Sequence, residues 1–371
     1  MNKKLISLLL SAALAVSMLT VPAFAAEGGE ADAALDETNE VVVTLGDTVT
    51  ASTVEDTDKA AADKTAADKT ETADSAPAAS TEKKQITYVA LGDSIVAGVG
   101  LADVKYAKDS TTLYSVDMSP NFKGYSPDCY VGKVATMMGL DRDHAINLGL
   151  PALTAPDLAD MVRDGQMPKM NMESGCLYKY PEFQDYIRKA DVVSVQIGSN
   201  DAFVPCIVAL GNATNWKSEA LAATVLAGDL RASGSPAAAL IQGIKDMHLT
   251  RDERNATWNL LTSEMGKICD RIYPQTTAGL ISVVQEIRKL NPDCQILLMG
   301  YTDPVPFVPC WHNYFKKLNK FEKQLAETYD LTYVAIPKAK TDLDVHPTIS
   351  GHEYIAKKIV NSIELPENSA Q

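Results

Sequence analysis

From residue 85 onward, short apolar runs alternate with longer stretches in which apolar residues recur at helical spacing. The apolar runs predict five strands, at residues 86–91, 144–148, 191–197, 295–299 and 331–336. The stretches with helical spacing predict helices at residues 128–140, 156–163, 276–290, 312–329 and 350–363. Because strands alternate with helices and are apolar on both faces, the pattern predicts a three-layer α/β/α sandwich with a mostly parallel five-stranded sheet.

The segment at residues 203–273 departs from this alternation. It is long, mostly helical in pattern and without a convincing strand. We interpret it as a helical insertion in the domain, either a cap over a functional site or a decoration of the surface.

The first residues have a pattern that is typical of a targeting sequence. Lys3 and Lys4 precede an apolar run at residues 5–19, and residues 23–25 have the small-x-small pattern of a signal peptidase site. The run is too short to span a bilayer comfortably. Residues 1–25 are therefore predicted to be a bacterial-type signal peptide, and the mature protein is expected to be secreted, without stable membrane insertion.

Residues 26–84 consist largely of Ala, Asp, Thr, Glu and Ser and contain no aromatic residue. Such a segment cannot bury enough apolar surface to offset the entropy that is lost on ordering. We therefore predict a disordered acidic stalk, followed by a folded domain at residues 85–371.

The net charge of the chain bears on which class of binding partner the protein can have. The chain carries a net charge of −14, and the stalk, with fifteen acids against five lysines, accounts for −10 of it. With the two lysines of the leader, this leaves −6 for the domain. A mildly acidic domain argues against nucleic acid or anionic lipid as the main partner and does not exclude a neutral ester.

Six cysteines lie in the domain, at positions 129, 176, 206, 269, 294 and 310. An even number in an exported chain permits disulfides, and buried free thiols are the alternative. None has metal-ligand spacing with a histidine, so neither a metal nor another cofactor is predicted.

Chemistry in a parallel α/β sheet takes place beyond the carboxyl ends of the strands. The first predicted strand is followed by Gly-Asp-Ser at residues 92–94. A serine on a tight turn into a helix holds its hydroxyl above the sheet and its N–H toward a developing oxyanion, so Ser94 is a candidate nucleophile. The same residue types also occur in plain turns, as in Gly-Asp-Thr at residues 46–48 of the stalk.

Three further loops contain candidate functional groups. After the strand at residues 191–197, Asn200 could direct its amide toward an oxyanion, or form a turn or a helix cap. The loop at residues 147–154 could supply a backbone N–H donor. His346 precedes the last predicted helix and could reach Ser94, or be an ordinary surface histidine.

In their order along the chain, these motifs resemble the four blocks of the SGNH (GDSL-like) hydrolase superfamily over about residues 85–365, apart from the insertion. The resemblance implies a flavodoxin-like fold and hydrolysis of acyl esters. It implies that Ser94 attacks the ester carbonyl and that His346 takes the serine proton and gives it to the leaving alcohol. It also implies an oxyanion hole made by the Ser94 N–H, an N–H of the second block and the Asn200 side chain.

One departure from the family pattern lies in the second block. The family usually presents a glycine at the position that Ala152 occupies here. Alanine keeps its N–H and so is still a possible donor, but a positive φ becomes costly. Gly149 is the alternative donor.

The other departure concerns the acid. The family's aspartate three residues before the histidine is Leu343 here. Asp342 and Asp344 flank it, and we favour Asp344 as the residue that orients His346. Asp342, a backbone carbonyl or a Ser–His dyad without an acid are the alternatives. His352, in the last helix, is expected to be structural.

These features predict a secreted serine hydrolase that cleaves carboxylic esters of lipids, glycans or small molecules. The alternative is a catalytically decayed domain that binds glycan outside the cell. Acyl transfer to a cell-wall sugar would use the same residues as hydrolysis.

Overall fold

We describe the protein from a computed structural model. It describes residues 85–104, 122–172, 175–218, 242–304, 306, 308–342 and 346–364. The predicted signal peptide at residues 1–25 and the predicted stalk at residues 26–84 lie outside the described residues.

Five parallel strands form the central sheet. Their bounds are β1 (Tyr88–Gly92), β2 (Ala145–Gly149), β3 (Val192–Gln196), β4 (Gln295–Met299) and β5 (Thr332–Val334). They lie in the order β2-β1-β3-β4-β5, and each neighbouring pair is parallel. The prediction of a mostly parallel five-stranded sheet is confirmed.

Helices cover the sheet. Their bounds are α1 (Ser94–Ala97), α2 (Tyr130–Met138), α3 (Ala155–Asp164), α4 (Phe183–Arg188), α5 (Ser199–Ala213), α6 (Arg251–Asn259), α7 (Met265–Leu290), α8 (Pro309–Thr328) and α9 (Ile349–Val360). A π-helical turn, Leu260–Glu264, joins α6 to α7. In the part of the chain that the structure describes, no helix is both long enough and apolar enough to cross a membrane.

Alternate residues of β1 belong to two separate hydrophobic clusters. Val89 and Leu91 lie in one cluster, together with side chains of α3, α4, α5, α7 and α8. Tyr88 and Ala90 lie in the other, together with side chains of α2 and α9. Because successive side chains of a strand point to opposite faces, the helices form a layer on each face. This is the predicted three-layer sandwich, and β1, β2 and β3 are buried along their whole length because neither face meets water.

The region predicted as a helical insertion, residues 203–273, is mostly helical in its described part, with turns at residues 214–217 and a non-helical stretch at residues 247–250. It contains most of α5, then α6, the π-helical turn and the start of α7, and residues 219–241 lie outside the described part. Helix α7 begins at Met265 rather than at the predicted residue 276, and Pro274 lies inside it. A proline removes a backbone hydrogen bond and usually ends a helix, which is why the pattern suggested a boundary there.

The carboxyl ends of the first three strands lie close together in register. Gly92, the last residue of β1, lies opposite both Gly149 of β2 and Gln196 of β3. A Cβ at Gly92 would lie 2.1 Å from the carbonyl oxygen of Gln196, and one at Gly149 would lie 2.3 Å from the backbone nitrogen of Ala97. Both positions therefore need glycine so that the strand ends and α1 can approach each other.

Candidate active site

Ser94 lies directly after β1, as the first residue of the short helix α1. Asp93 caps this helix: its Oδ1 accepts a hydrogen bond from the backbone N–H of Ile95 at 2.9 Å. Gly98 ends the helix in a left-handed conformation, with a φ of 83°. The turn therefore holds Ser94 at the carboxyl edge of the sheet, where the residue is partly exposed.

His346 reaches the same edge from the other end of the domain. Its Nε2 lies 3.0 Å from the Oγ of Ser94, although the two residues are 252 positions apart. The loop is fixed where the N–H of Thr348 donates to the Lys340 carbonyl at 2.9 Å and the Thr348 hydroxyl accepts from the Gly351 N–H at 3.2 Å. A base at hydrogen-bonding distance from a hydroxyl is placed to remove its proton.

Of the two aspartates considered as partners of His346, the structure describes only Asp342. Asp344, favoured from the sequence, lies with Leu343 outside the described residues. Asp342 closes the loop through its backbone, because its N–H donates to the His346 carbonyl at 2.9 Å. The base of the loop is thus an antiparallel contact, which also pairs Thr341 with Pro347.

Asn200 is the second residue of α5 and lies beside the loop that follows β2. Its Nδ2 donates to the carbonyl of Leu153 at 3.0 Å, and the residue is 3% exposed. An amide nitrogen has two N–H donors, so the one that Leu153 does not use is available to a ligand.

Ala152 lies in that loop with a φ of 60°, in the left-handed region that favours glycine. This conformation costs an L-residue with a Cβ roughly 1–2 kcal/mol. The loop is held by the N–H of Leu150, which donates to the Gly92 carbonyl at 2.9 Å, and by the hydroxyl of Tyr178, which donates to the Pro151 carbonyl at 2.9 Å. The strain expected from replacing the family's glycine is therefore present and is balanced by these contacts.

Gly149, the alternative donor, already uses its N–H. It donates to the Oδ1 of Asn147 at 2.9 Å, and the Nδ2 of Asn147 donates to the Val96 carbonyl at 2.8 Å. Asn147 thus fastens the end of β2 to α1, which carries Ser94. Ala152 is left as the candidate donor of the second block.

Ser94, Asn200 and His346 line one cleft, which is open to solvent and has a volume of about 550 Å³. The apolar part of its wall is formed by Phe203, Pro304, Phe315, Ile336, Ala339 and Ile355. None of the described residues that line the cleft is a lysine, arginine, aspartate or glutamate. A ligand with a net charge would lose its hydration there without an ion-pair partner, so the cleft suits an uncharged ligand.

The sequence profile of the GDSL-like Lipase/Acylhydrolase family matches residues 90–354, well over half of the 371-residue chain. The protein belongs to this family. The matched span contains the nucleophile candidate Ser94, the amide of Asn200 and the imidazole of His346.

Several solved structures are similar to this GDSL-like hydrolase. The lipase Lip_vut3 from a goat rumen metagenome has a TM-score of 0.42 and 13% identity, and the match covers 75% of this chain and 97% of that one. A variant of an acetyl-xylooligosaccharide esterase from Geobacillus Stearmophilus has a TM-score of 0.38 and 18% identity, with 77% and 98% covered. The carbohydrate acetylesterase Est24 from Sinorhizobium meliloti has a TM-score of 0.39 and 14% identity, with 75% and 99% covered. No curated protein matches the sequence.

Two residues of the GDSL-like hydrolase that the sequence did not single out, Ser199 and Tyr301, meet Asp93. The Oδ2 of Asp93 accepts hydrogen bonds from the Ser199 hydroxyl at 2.7 Å and from the Tyr301 hydroxyl at 3.1 Å. Burial raises the pKa of Asp93, and the hydrogen bonds it accepts offset part of that effect. Tyr301 comes shortly after the end of β4, so the strand-end rule was the signal that could have found it.

Asp201 joins the third block of the hydrolase to the second. Its Oδ2 accepts a hydrogen bond from the N–H of Ala155, the first residue of α3, at 2.9 Å. Burial raises the pKa of Asp201 to about 7. Together with the bond from Asn200 to Leu153, this contact holds the loop after β2 against the start of α5 at two points.

His352 is a structural residue, as predicted from its place in the last helix. It is 0% exposed, and its Nδ1 accepts a hydrogen bond from the N–H of Tyr130 at 3.2 Å. Burial lowers the pKa of His352 to about 3, so the imidazole is neutral at neutral pH.

The six cysteines are free thiols, and all except the partly exposed Cys310 are buried. Of the two interpretations left open by the sequence, the structure has the buried thiols. Among the residues that are described, no group of three or more histidines, cysteines, aspartates or glutamates could hold a metal ion.

Proposed function

We propose that this GDSL-like hydrolase is an extracellular serine esterase that cleaves carboxylic esters with Ser94 as nucleophile and His346 as general base. The observation that carries the proposal is the 3.0 Å contact between the Ser94 Oγ and the His346 Nε2, at the rim of a cleft whose described lining residues include no lysine, arginine, aspartate or glutamate. The extracellular location is proposed from the leader at residues 1–25, and N-terminal sequencing of protein recovered from culture medium tests it.

In the first half of the reaction, the Ser94 Oγ forms a bond to the ester carbonyl carbon while its proton passes to the His346 Nε2. The negative oxygen is stabilised by the Ser94 N–H, the Asn200 amide and the Ala152 N–H, and each such donor is typically worth about 2.7–4 kcal/mol of barrier. The bond to the alcohol oxygen then breaks, and the alcohol takes the proton from His346. An acyl-enzyme remains.

In the second half, water replaces the alcohol. His346 removes a proton from the water as it attacks the acyl-enzyme carbonyl, and the bond to Ser94 breaks. The proton returns to the Ser94 Oγ, and the carboxylic acid leaves. An acceptor alcohol in place of water would give acyl transfer, and product analysis with and without such an acceptor separates the two reactions.

The cleft supports a substrate with an uncharged and at least partly apolar acyl group. Its wall contains the rings of Phe203 and Phe315 and no fixed charge among the described lining residues. Lipid, glycan and small-molecule esters all meet this condition. A series of p-nitrophenyl esters of increasing acyl length, assayed beside acetylated sugars, identifies which class is preferred; equal rates throughout the series would contradict a role of the cleft wall in selection.

The substitution Ser94→Ala tests the nucleophile. We expect it to abolish hydrolysis of a short p-nitrophenyl ester, because no oxygen remains to form the acyl-enzyme, and to leave the thermal unfolding midpoint nearly unchanged. A fluorophosphonate probe should label the wild-type protein at Ser94. The exposed Ser263 provides the control, since Ser263→Ala should retain both labelling and turnover.

Two results would contradict the proposal. Turnover that persists in the Ser94→Ala variant would remove this serine from the mechanism. A folded wild-type protein that neither labels nor hydrolyses any ester would point to the glycan-binding alternative, which the contact between Ser94 and His346 does not favour.

A further inference from the structure

The side chain of Asp93 joins residues that follow three neighbouring strands. Asp93 itself follows β1, Ser199 lies shortly after β3, and Tyr301 lies shortly after β4. The two hydroxyls donate to the same carboxylate oxygen, at 2.7 Å from Ser199 and 3.1 Å from Tyr301. The other carboxylate oxygen accepts the N–H of Ile95, in the helix that carries Ser94.

The three residues that make these hydrogen bonds are buried. Asp93 is 0% exposed, Ser199 5% and Tyr301 3%. A buried carboxylate without donors would be costly, so each hydroxyl satisfies a group that has no access to water. Burial also raises the pKa of Tyr301 well above its usual range, which keeps the hydroxyl protonated as a donor.

Tyr301 is itself held on three sides. Its backbone N–H donates to the Oδ1 of Asn319 in α8 at 2.7 Å, and its carbonyl accepts from the Nδ2 of Asn319 at 2.9 Å. Its ring packs against Phe315, with 5.6 Å between the ring centroids. A side chain whose backbone and ring are both fixed can in turn fix its hydrogen-bond partner.

The carboxylate also lies within electrostatic reach of the imidazole. The charge of His346 favours the ionised form of Asp93. In the proposed mechanism a positive charge develops on His346 as it takes the Ser94 proton. A displaced Asp93 would therefore interact less favourably with the transition state, in which that charge develops.

We propose that Ser199 and Tyr301 are positioning residues that act through Asp93 to hold the Ser94 turn in register with Asn200 and His346. The proposal rests on the proposed function, because it concerns the geometry of the same hydrolytic site. Tyr301 lies outside the four sequence blocks, so this contact adds the end of β4 to the groups that shape the site.

The test compares single hydroxyl deletions. Tyr301→Phe keeps the ring and the backbone contacts with Asn319 and removes one donor to Asp93. We expect kcat for a short p-nitrophenyl ester to fall about tenfold, since small misplacements of a nucleophile slow the chemical step. KM should change less than twofold, and the rate of fluorophosphonate labelling should fall with kcat.

Tyr88→Phe is the matched control. Tyr88 is a fully buried tyrosine of β1 whose hydroxyl meets the Oγ of Ser194 at 2.8 Å and does not contact Asp93. Removing this hydroxyl deletes a buried hydrogen bond of the same kind and should leave kcat and the labelling rate unchanged, whatever it does to the thermal midpoint.

Ser199 gives a second, independent arm with a rescue. Ser199→Ala should lower kcat as Tyr301→Phe does, and Ser199→Thr, which keeps a hydroxyl, should restore most of it. The double variant should lose less than the product of the two single effects, because both donors act on one carboxylate.

The outcomes separate this proposal from the function on which it rests. A Tyr301→Phe enzyme with the kcat of wild type, or a Ser199→Thr enzyme no better than Ser199→Ala, overturns the positioning role while wild-type hydrolysis and the Ser94→Ala loss leave the function standing. If Tyr301→Phe fails to fold, the Ser199 pair decides. A wild-type protein without hydrolysis removes both.

Discussion

At the scale of single residues, the hydrolase places three polar side chains where the proposed chemistry needs them and holds one backbone position of the site in a left-handed conformation. Ser94, Asn200 and His346 line one cleft. Each of them lies in a different segment of the chain, and each segment is fixed by hydrogen bonds before any ligand arrives. Such preorganisation avoids the cost of ordering these groups during the reaction.

The left-handed position is Ala152, and it gives a prediction about stability. Ala152→Gly should increase the free energy of unfolding by roughly 0.5–1 kcal/mol, because relief of the left-handed strain exceeds the extra entropy of glycine in the unfolded chain. Activity should stay within about twofold, since glycine keeps the backbone N–H. Urea denaturation and the p-nitrophenyl assay measure the two quantities.

Ala159, in the middle of α3, is the control for this change. There the backbone is already helical, so Ala159→Gly should lower the free energy of unfolding by about 1 kcal/mol. If both substitutions destabilise the protein equally, the conformation of Ala152 is not under strain.

At the scale of elements, the sequence predicted those whose pattern is set by burial on one or both faces. The strands were found to within two residues of their ends, because an apolar run buried on both faces stands out from its neighbours. Of the short elements, α1 was predicted only as a helix without bounds after the Ser94 turn, and α4 was not predicted. Four to six residues are too few for a helical period, and their formation depends on caps and tertiary contacts.

The loop between β5 and α9 contains Asp342 and Asp344, the two aspartates considered as partners of His346. If the sequence-based choice of Asp344 is correct, Asp344→Asn should lower kcat at least tenfold, because an imidazole without a carboxylate partner loses its orientation and the stabilisation of its positive form. Under the same choice, Asp342→Asn should lower kcat less than Asp344→Asn does, since asparagine retains the backbone N–H that Asp342 donates to the His346 carbonyl.

Steady-state kinetics of the two variants distinguish the three possibilities. A large loss in Asp342→Asn alone would exchange the roles of the two aspartates. Wild-type rates in both variants would leave the two alternatives in which no aspartate takes part, a backbone carbonyl as partner of His346 or a Ser–His dyad.

At the scale of the whole molecule, α8 buries a carboxyl group that the proposed reaction does not use. Glu322 is 0% exposed, and neither of its carboxyl oxygens has a hydrogen-bond partner in the described part of the chain. Burial raises the pKa of Glu322 well above its usual range. The folded protein thus keeps this proton at a pH where the unfolded chain has already released it.

The sign of the resulting pH dependence follows from linkage. Above the unfolded pKa of about 4.3 the unfolded state binds fewer protons at this site, so stability falls as pH rises, by about 1.4 kcal/mol per pH unit until the folded pKa is reached. Glu322→Gln cannot ionise, and its stability relative to wild type should therefore increase with pH between the unfolded and the folded pKa of Glu322. Urea denaturation at several pH values measures this difference.

Glu327→Gln, on the exposed side of the same helix, is the control. Its stability relative to wild type should depend on pH less than that of Glu322→Gln. A constant difference between wild type and Glu322→Gln would mean that the Glu322 carboxyl is ionised in the folded protein.

Fewer of the residues around the site than of the elements of the fold could be predicted from the sequence, and the reason is physical. Ser94, Asn200 and His346 occur in motifs with a fixed local spacing, and the strand-end rule places them on one edge. Tyr301 has no local pattern. Its hydroxyl matters because β4 lies next to β3 in the sheet, and that neighbourhood is a property of strand order, which no short stretch of sequence contains.

The separation of 252 residues between Ser94 and His346 has a consequence during synthesis and folding of the chain. Ser94 is synthesised long before His346, and the contact between them requires the loop before α9 to reach the carboxyl edge of the sheet. A molecule that is still being synthesised, is truncated or is partly unfolded would therefore not hydrolyse esters. The rate of turnover per molecule would therefore measure the fraction of chains that have folded completely. Proteolytic removal of the last helix would abolish turnover and leave Ser94 intact.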